Sequence, residues 1–557
     1  MLFRSHFQLM GPAGPLFSSA QIGNSGAMTM RESRGRNADL IVRARRMYTV
    51  DRAFGRAEAL AVKDGRILAV GSRAEIENYF SAPRHLDLGD ACAYPGFMDP
   101  HCHFLSYGFV LQRPWLADTS SWEEAVALMA ASEIPPSGWI QGRGWDQNRW
   151  KKKDFPDRSL LDRAFPRTPA IAIRIDGHAA VANAPALAAA GLDARSRVEG
   201  GMVLLRDGLP TGLLLDNAVD LVRAAIPAPS ESEMRQALLK AQASCLSLGL
   251  TSVSNAGTEL REVLAMERAH EEGSLDIRIY AMLAPSAENI ETLARRGPLA
   301  KDRLTARSFK MYADGALGSR GALLLEDYAD DPGNRGLQIL EEGELDRICG
   351  IARGCGYQMN VHAIGDGAAR LVLEAYGRHL EPGNDLRWRI EHAQLLTDED
   401  LERIARLRIV PSIQAVHAVS DMAWTESRLG PGRMYRSHRY RDLLEHCGWL
   451  ANGSDFPIEK ADPLRGFRAA AFRKDDEGRP EGGWSSDQAM ERVDALKAMT
   501  IWAARANFEE GSRGSLEAGK WADIVALDRD LVEDGEDSLW DATVQATIVG
   551  GKILHRI

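Results

Sequence analysis

Tyr94-Pro-Gly-Phe-Met-Asp-Pro-His-Cys-His103 brings a carboxylate and two imidazoles close together. A turn at Pro95-Gly96 leads into a short apolar run that reads as a buried strand. Side chains alternate faces along a strand, so Asp99, His101 and His103 share one face and Cys102 points to the other. Two imidazoles side by side on one strand can hold a single metal ion. The His-x-His pair alone is equally compatible with two ordinary polar histidines.

More residues capable of chemistry follow, each tied to an apolar run. Lys310 lies inside Phe309-Lys-Met-Tyr-Ala-Asp-Gly315; His362 ends one strand-like run, His392 another and Asp455 a third. Singly, each has a plain reading: a strand-end histidine satisfied by neighbours, or a lysine extending its head to water. Together they are a lysine within a strand and two further imidazoles and a carboxylate at separate strand ends, and that combination points to a metal site. Three more groups are candidates for substrate contact. Trp145 lies in the loop-like Gly142-Arg-Gly-Trp-Asp-Gln-Asn-Arg-Trp150, and a loop can lower an aromatic ring onto a ligand. His178 ends Ile171-Ala-Ile-Arg-Ile-Asp-Gly-His178, whose alternation puts Arg174, Asp176 and His178 on one face; it could donate to a tetrahedral oxyanion. Asp314 shares the Lys310 face if that strand runs on, where it could orient Lys310 or a substrate amine.

The elements that must position these residues can be read from periodicity. Glu58 to Val70 is a hairpin turning at Asp64-Gly65, and Val544 to Leu554 is another turning at Gly550-Gly551. Neither end has enough apolar residues to fold alone. Residues 38–93 and 509–557 together predict a small composite β-sandwich built from both termini. Between them, residues 94–508 alternate apolar strands with amphipathic helices such as Asp398 to Arg406. Strands ending near His103, Ser254, Ala281, Tyr312, His362, His392, Gln414 and Asp455 predict a parallel (β/α)8 TIM barrel, an α/β fold with its active site at the strand C-termini. A tryptophan-rich stretch at about 104–235, between the first two barrel strands, reads as an insert capping the barrel mouth.

The totals exclude other classes. Of 557 residues, 45% are apolar and 26% charged, and the net charge of −10 disfavours nucleic acid. No apolar run approaches the roughly 20 residues that span a membrane. The six cysteines are scattered without a Cys-x-x-Cys pair, which fits reduced thiols in the cytoplasm. Residues 1–37 lack periodicity and a signal-peptide core, and are expected to be a disordered extension.

The motifs resemble those of the amidohydrolase superfamily, and within it the amidohydrolase-3 (YtcJ-like) group, which includes N-substituted formamide deformylases. The resemblance runs from about residue 38 through nearly the whole chain. It rests on Pro95 to His103, Asp176-Gly-His-Ala-Ala-Val-Ala-Asn183, Lys310 through Asp314-Gly-Ala-Leu-Gly-Ser-Arg320, Val361-His-Ala-Ile-Gly-Asp366, Arg389-Ile-Glu-His392, Gly453-Ser-Asp-Phe-Pro457 and Gly514 to Asp523. One departure lies near the seventh strand, where the group often has Gln-Pro-x-His and this chain reads Gln414-Ala-Val-His417.

The resemblance implies that His101 and His103 bind one divalent metal and His362 and His392 a second. Lys310, carboxylated by CO2, would bridge them, and Asp455 would complete the first metal's ligands and act as the catalytic acid–base. Imidazole donors with few carboxylates suit zinc, with manganese, iron or cobalt compatible. The implied activity is hydrolysis of a C–N bond, in an amide or formamide rather than a peptide, through a metal-activated hydroxide. Cys102 would be a bystander. The apolar Phe456-Pro-Ile458 and the tryptophans suggest a small-molecule substrate with an apolar part, and a homodimer is the default assembly. Two other readings stay open: a mononuclear lyase or isomerase with unmodified Lys310, and a non-catalytic binding protein.

Overall fold

The computed structural model describes residues 36–557, apart from residues 176, 178, 199, 200 and 342. The expected disorder of residues 1–37 therefore falls, up to residue 35, outside the described residues.

The central sheet consists of eight parallel strands, β1 (Phe97–Cys102), β2 (Leu250–Thr258), β3 (Arg278–Leu283), β4 (Leu304–Tyr312), β5 (Gln358–Ala363), β6 (Arg389–His392), β7 (Val410–Ile413) and β8 (Ala451–Asn452), and a ninth short strand, Leu299–Ala300, antiparallel to β4. Each pairs with its sequence neighbour from β1 to β8. Period-2 alternation decides what faces where. In β4, Phe309 and Met311 join the apolar layer under the helices, while Ser308 takes a hydrogen bond from Asn360 of β5. The ring closes just beyond β8. Asp455 N donates to His101 O at 2.8 Å, and His103 N donates to Phe456 O at 2.7 Å. Gly453 makes this approach possible: a Cβ there would lie 2.7 Å from Asp99 Oδ1 and 2.8 Å from His101 N. Asp99 completes the seam by accepting from Ser454 N and Ser454 Oγ.

The two termini meet as expected, but in one hydrogen-bonded sheet of eight strands. Cys92–Pro95 runs antiparallel to Ile524–Leu527, and Cys92 pairs with Leu527. The sheet then curls, so that one apolar cluster holds Leu60 and Val62 together with Ile524 and Ile548. The two hairpin turns touch. Gly65 has φ +75°, and a Cβ on it would stand 2.9 Å from Gly550 O. The sandwich is thus a single sheet folded over its own core.

A buried ion pair ties this sheet to the barrel. Arg278, in β3, donates from Nε and Nη2 to Asp523 at 2.7 and 2.9 Å, and both side chains are at most 5% exposed. Asp523→Ala would leave the guanidinium buried without its partner. We expect it to destabilise the protein by about 3–5 kcal/mol, read as a lower urea midpoint; an unchanged midpoint would contradict this.

Between β1 and β2 lies a five-stranded sheet of Ile140–Trp145, Ala170–Arg174, Ala179–Ala182, Gly201–Arg206 and Leu209–Asp216. The stretch read as a loop around Trp145 is its edge strand, paired in parallel with Ala170–Arg174.

Candidate active site

Period-2 geometry and chain reversals at the strand ends bring the candidate ligands together. His101, His392 and Asp455 are all buried, and each offers a ligand atom within 4.8 Å of the others. Asp455 Oδ1 is 3.5 Å from His101 Nε2 and 3.3 Å from His103 Nε2. The His362 and His392 rings meet edge to face at 4.4 Å, and the His101 ring lies 5.1 Å from that of His392. Lys310 is 1% exposed; its Nζ stands 3.8 Å from the centre of the Tyr312 ring and donates only a long bond, 3.4 Å, to Met311 O.

Two of these residues depart from strand conformation. His392 has φ 72° and Asp455 φ 63°, in the left-handed region that non-glycine residues seldom occupy. The turn at His392 sets its ring beside those of His101, His362 and His417. Strained backbone of this kind concentrates where function requires a fixed side-chain direction.

Glu391 was not among the residues singled out from the sequence. It is fully buried, with Oε2 2.5 Å from His101 Nδ1. Burial opposes its charge, but His101, then Arg389 and Lys310, outweigh burial and hold the carboxyl below its usual range. An ionised carboxylate can only accept, so Nδ1 of His101 carries a proton and donates to Glu391, and Nε2 is the atom on the Asp455 side. We expect Glu391→Gln to weaken divalent-metal affinity about 10–100-fold in a chelator competition, the usual effect of removing a ligand's supporting partner. An unaltered affinity would remove this role.

The electrostatics suit a cation. Burial, then Lys310, pulls His362 down to about 3; burial, then His362, His101 and His417, takes His392 well below its usual value. Both rings are therefore neutral at pH 7, with lone pairs free. Burial works against the Asp455 charge, but His103, His101 and His417 hold it far below the carboxylate range. Burial lowers Lys310 to about 8 despite Glu391, Asp455 and Asp314 nearby. Among the described residues, His362 Nε2, His392 Nδ1 and Asp455 Oδ1 have no hydrogen-bond partner. Buried donors and acceptors are rarely left so, and neutral imidazoles beside a carboxylate are the donor set of a divalent metal site.

The neutral histidines also set a pH dependence. An unfolded histidine protonates near 6.5, whereas His362 and His392 resist protonation in the fold. Below that pH the unfolded state binds more protons, so stability falls as pH falls. We expect the metal-free protein to lose about 1.4 kcal/mol per pH unit through His362 between about 6.5 and 3, and His392 to add to the fall below about 6.5. Equal urea stability at pH 7.5 and 5 would contradict this.

The remaining candidates divide. Asp314 does reach the cluster, with Oδ1 3.4 Å from His362 Nε2. Its oxygens, however, accept from the backbone of Leu323, Ile364 and Gly365, so it fixes the loops after β4 and β5 rather than facing a substrate. Burial pushes it up to about 7. Trp145 is corrected: it is 0% exposed, donates to Ala172 O at 2.9 Å and stacks on Trp150 in the core of the five-stranded unit. A strand edge packed on that core leaves no ring face for a ligand. His178 lies outside the described residues. Cys102 faces the helical layer, as expected of a bystander. His417 joins the cluster although its motif departs from the group's pattern. Its ring stacks on His392 at 5.7 Å, and its Nε2 is 3.9 Å from Asp455 Oδ2.

Comparison with known proteins agrees with this geometry. The family model described as amidohydrolase family matches residues 84–555. The chain belongs to the amidohydrolase family. Amidohydrolase relatives include YtcJ of Bacillus subtilis (strain 168), 32% identical over 527 residues that span 91% of this chain and 98% of YtcJ. N-substituted formamide deformylase of Arthrobacter pascens is 26% identical, covering 93% of this chain and 98% of its own. A crystal structure of an uncharacterized metal-dependent hydrolase from Pyrococcus horikoshii OT3 superposes with a TM-score of 0.78 at 28% identity, over 89% of this chain and 99% of that one. As a member of the amidohydrolase family, the protein is a metal-dependent hydrolase. Among its described residues, no helix is long and apolar enough to cross a membrane.

Proposed function

We propose that this amidohydrolase hydrolyses a non-peptide C–N bond, in an amide or formamide of a small molecule, at a centre of two divalent metals. The observation that carries the reading is the buried Lys310 amine among unpartnered imidazoles and Asp455. With Lys310 at about 8, roughly a tenth of the amine is neutral at pH 7, and the nitrogen lone pair of that fraction can add to CO2. The amine gains a carboxylate and releases a proton, turning a cation that repels metals into an anion with two oxygens. His101, His103 and Asp455 would then hold one ion, zinc by donor type, and His362 and His392 the other, with carboxylated Lys310 between them. When bound, such ions lower the pKa of water from about 15.7 towards 7 and polarise a carbonyl.

The chain's own groups do the rest. Glu391 fixes the His101 tautomer. Asp455 accepts a proton from the attacking water and returns it to the leaving nitrogen. The likeness to an N-substituted formamide deformylase supports a substrate in that class. In the same reading the five-stranded insert caps the barrel mouth, and the enzyme works in the cytoplasm.

Elemental analysis of protein purified without chelator tests the proposal, followed by a panel of N-formyl and N-acyl amines. About two ions per chain and amine release from the panel support it. One ion per chain favours a mononuclear lyase or isomerase with free Lys310. No metal, unrepaired by zinc with bicarbonate, would leave a binding protein.

A further inference from the structure

Three arginines from separate elements between β1 and β2 lie close enough to influence one another's charge. Arg113 follows the helix Phe104–Val110, which starts directly after His103. Arg143 sits on the edge strand Ile140–Trp145, and its backbone pairs with the segment after Arg113: its N donates to Pro114 O, and its O accepts from Leu116 N. Arg143 is in register with Ile173, so the two share a sheet face. That face packs against Ala218, Val219 and Val222 of the helix Asn217–Ala224, which carries Arg223.

All three side chains are half-buried, and their charges oppose one another. Burial, then Arg143 and Arg223, pulls Arg113 down to about 10, still protonated at neutral pH; burial, then Arg223, lowers Arg143. Among the described residues, no carboxylate lies within ion-pair distance of Arg113 or Arg143, and Arg223 has only the exposed Asp220. Arg174 in the same sheet, by contrast, is paired with Asp146 at 3.0 Å. Half-buried cations crowded together without acids are unfavourable unless an anion joins them, and guanidinium forks match carboxylate and phosphate oxygens.

We propose that Arg113, Arg143 and Arg223 form a binding site for the carboxylate or phosphate group of a small anionic molecule. The site is close enough to serve the reaction. The seven residues of the helix, at about 1.5 Å each, put its end roughly 10 Å from His103, and Arg113 follows three residues later. The intervening helix packs Tyr107 against Phe456, next to Asp455, at 4.9 Å.

The test uses the full chain at low ionic strength with inorganic phosphate and succinate as probes. Wild type should bind at least one of them, raising its melting temperature in a saturable way. Arg113→Gln and Arg143→Gln should each weaken that binding at least about tenfold, while melting no lower than wild type without anion, because repulsion is relieved. Arg206→Gln, on an exposed strand, should bind as wild type. No stabilisation of wild type by either probe, or equal stabilisation of both cluster variants, would overturn the proposal. These readouts do not depend on turnover, so they stand apart from the hydrolase reading. A substrate pair with and without a distal carboxylate separates the two sources of the anion. A KM raised tenfold in the variants for the charged member alone identifies the substrate's own group. Unchanged KM with lost phosphate or succinate binding identifies a separate anion.

Discussion

Asp455→Asn should keep the fold and lower kcat by about 10²–10⁴-fold, the range of a lost general acid–base. The substitution is nearly isosteric, and the backbone bond from residue 455 to His101 O that closes the barrel survives it. Asparagine also tolerates the φ of 63° at this position better than most residues. What disappears is charge. An amide cannot take a proton from water at neutral pH, and it no longer offers an anion to His101 and His103. The measurement is kcat on metal-supplemented protein whose melting curve matches wild type. Wild-type turnover in that sample would remove Asp455 from proton transfer.

If the proposed two-metal centre is right, Lys310→Ala should lower metal content to one ion or none per chain and cut turnover by more than about 100-fold, beyond the effect of losing a ligand's mere support. Stability should not suffer in proportion, because a buried amine is itself costly and burial already opposes its charge. The space left lies beside the Tyr312 ring. Acetate or propionate should enter it and restore part of the activity, supplying the two oxygens that the carboxylated side chain would have carried. A variant that keeps one ion and full turnover, indifferent to added carboxylate, would favour the mononuclear reading instead.

Much of the architecture was legible because it depends on local periodicity. Alternation marked β4 and β5 as strands with one polar face, and Asp64-Gly65 and Gly550-Gly551 marked hairpin turns that need positive φ. His101, His103, Lys310, His362, His392 and Asp455 could be chosen because each sits at or near the end of an apolar run. Where local pattern misled, a long-range partner had overridden it. Residues 142–145 look like a loop, with two glycines and a polar tail, yet pairing with Ala170–Arg174 makes them a strand. Trp145 is thereby drawn into a core with Trp122 and Trp150. Asp314 was legible as a residue near Lys310, but backbone groups from two loops claim its oxygens.

Glu391 was missed for a geometric reason. It precedes a candidate ligand, and strict alternation would send the two to opposite faces. The positive φ of His392 breaks that alternation, so both turn inward, and the carboxylate meets an imidazole 290 positions away in the chain. The sequence by itself determined the strand-forming runs, the chemistry of the candidate ligands and their order around a barrel. Only the tertiary structure decided which of them meet, which carboxylate orients His101 and which arginines crowd together. Periodicity acts over a few residues, whereas ligand geometry and electrostatics depend on distances between atoms that the closed barrel brings together.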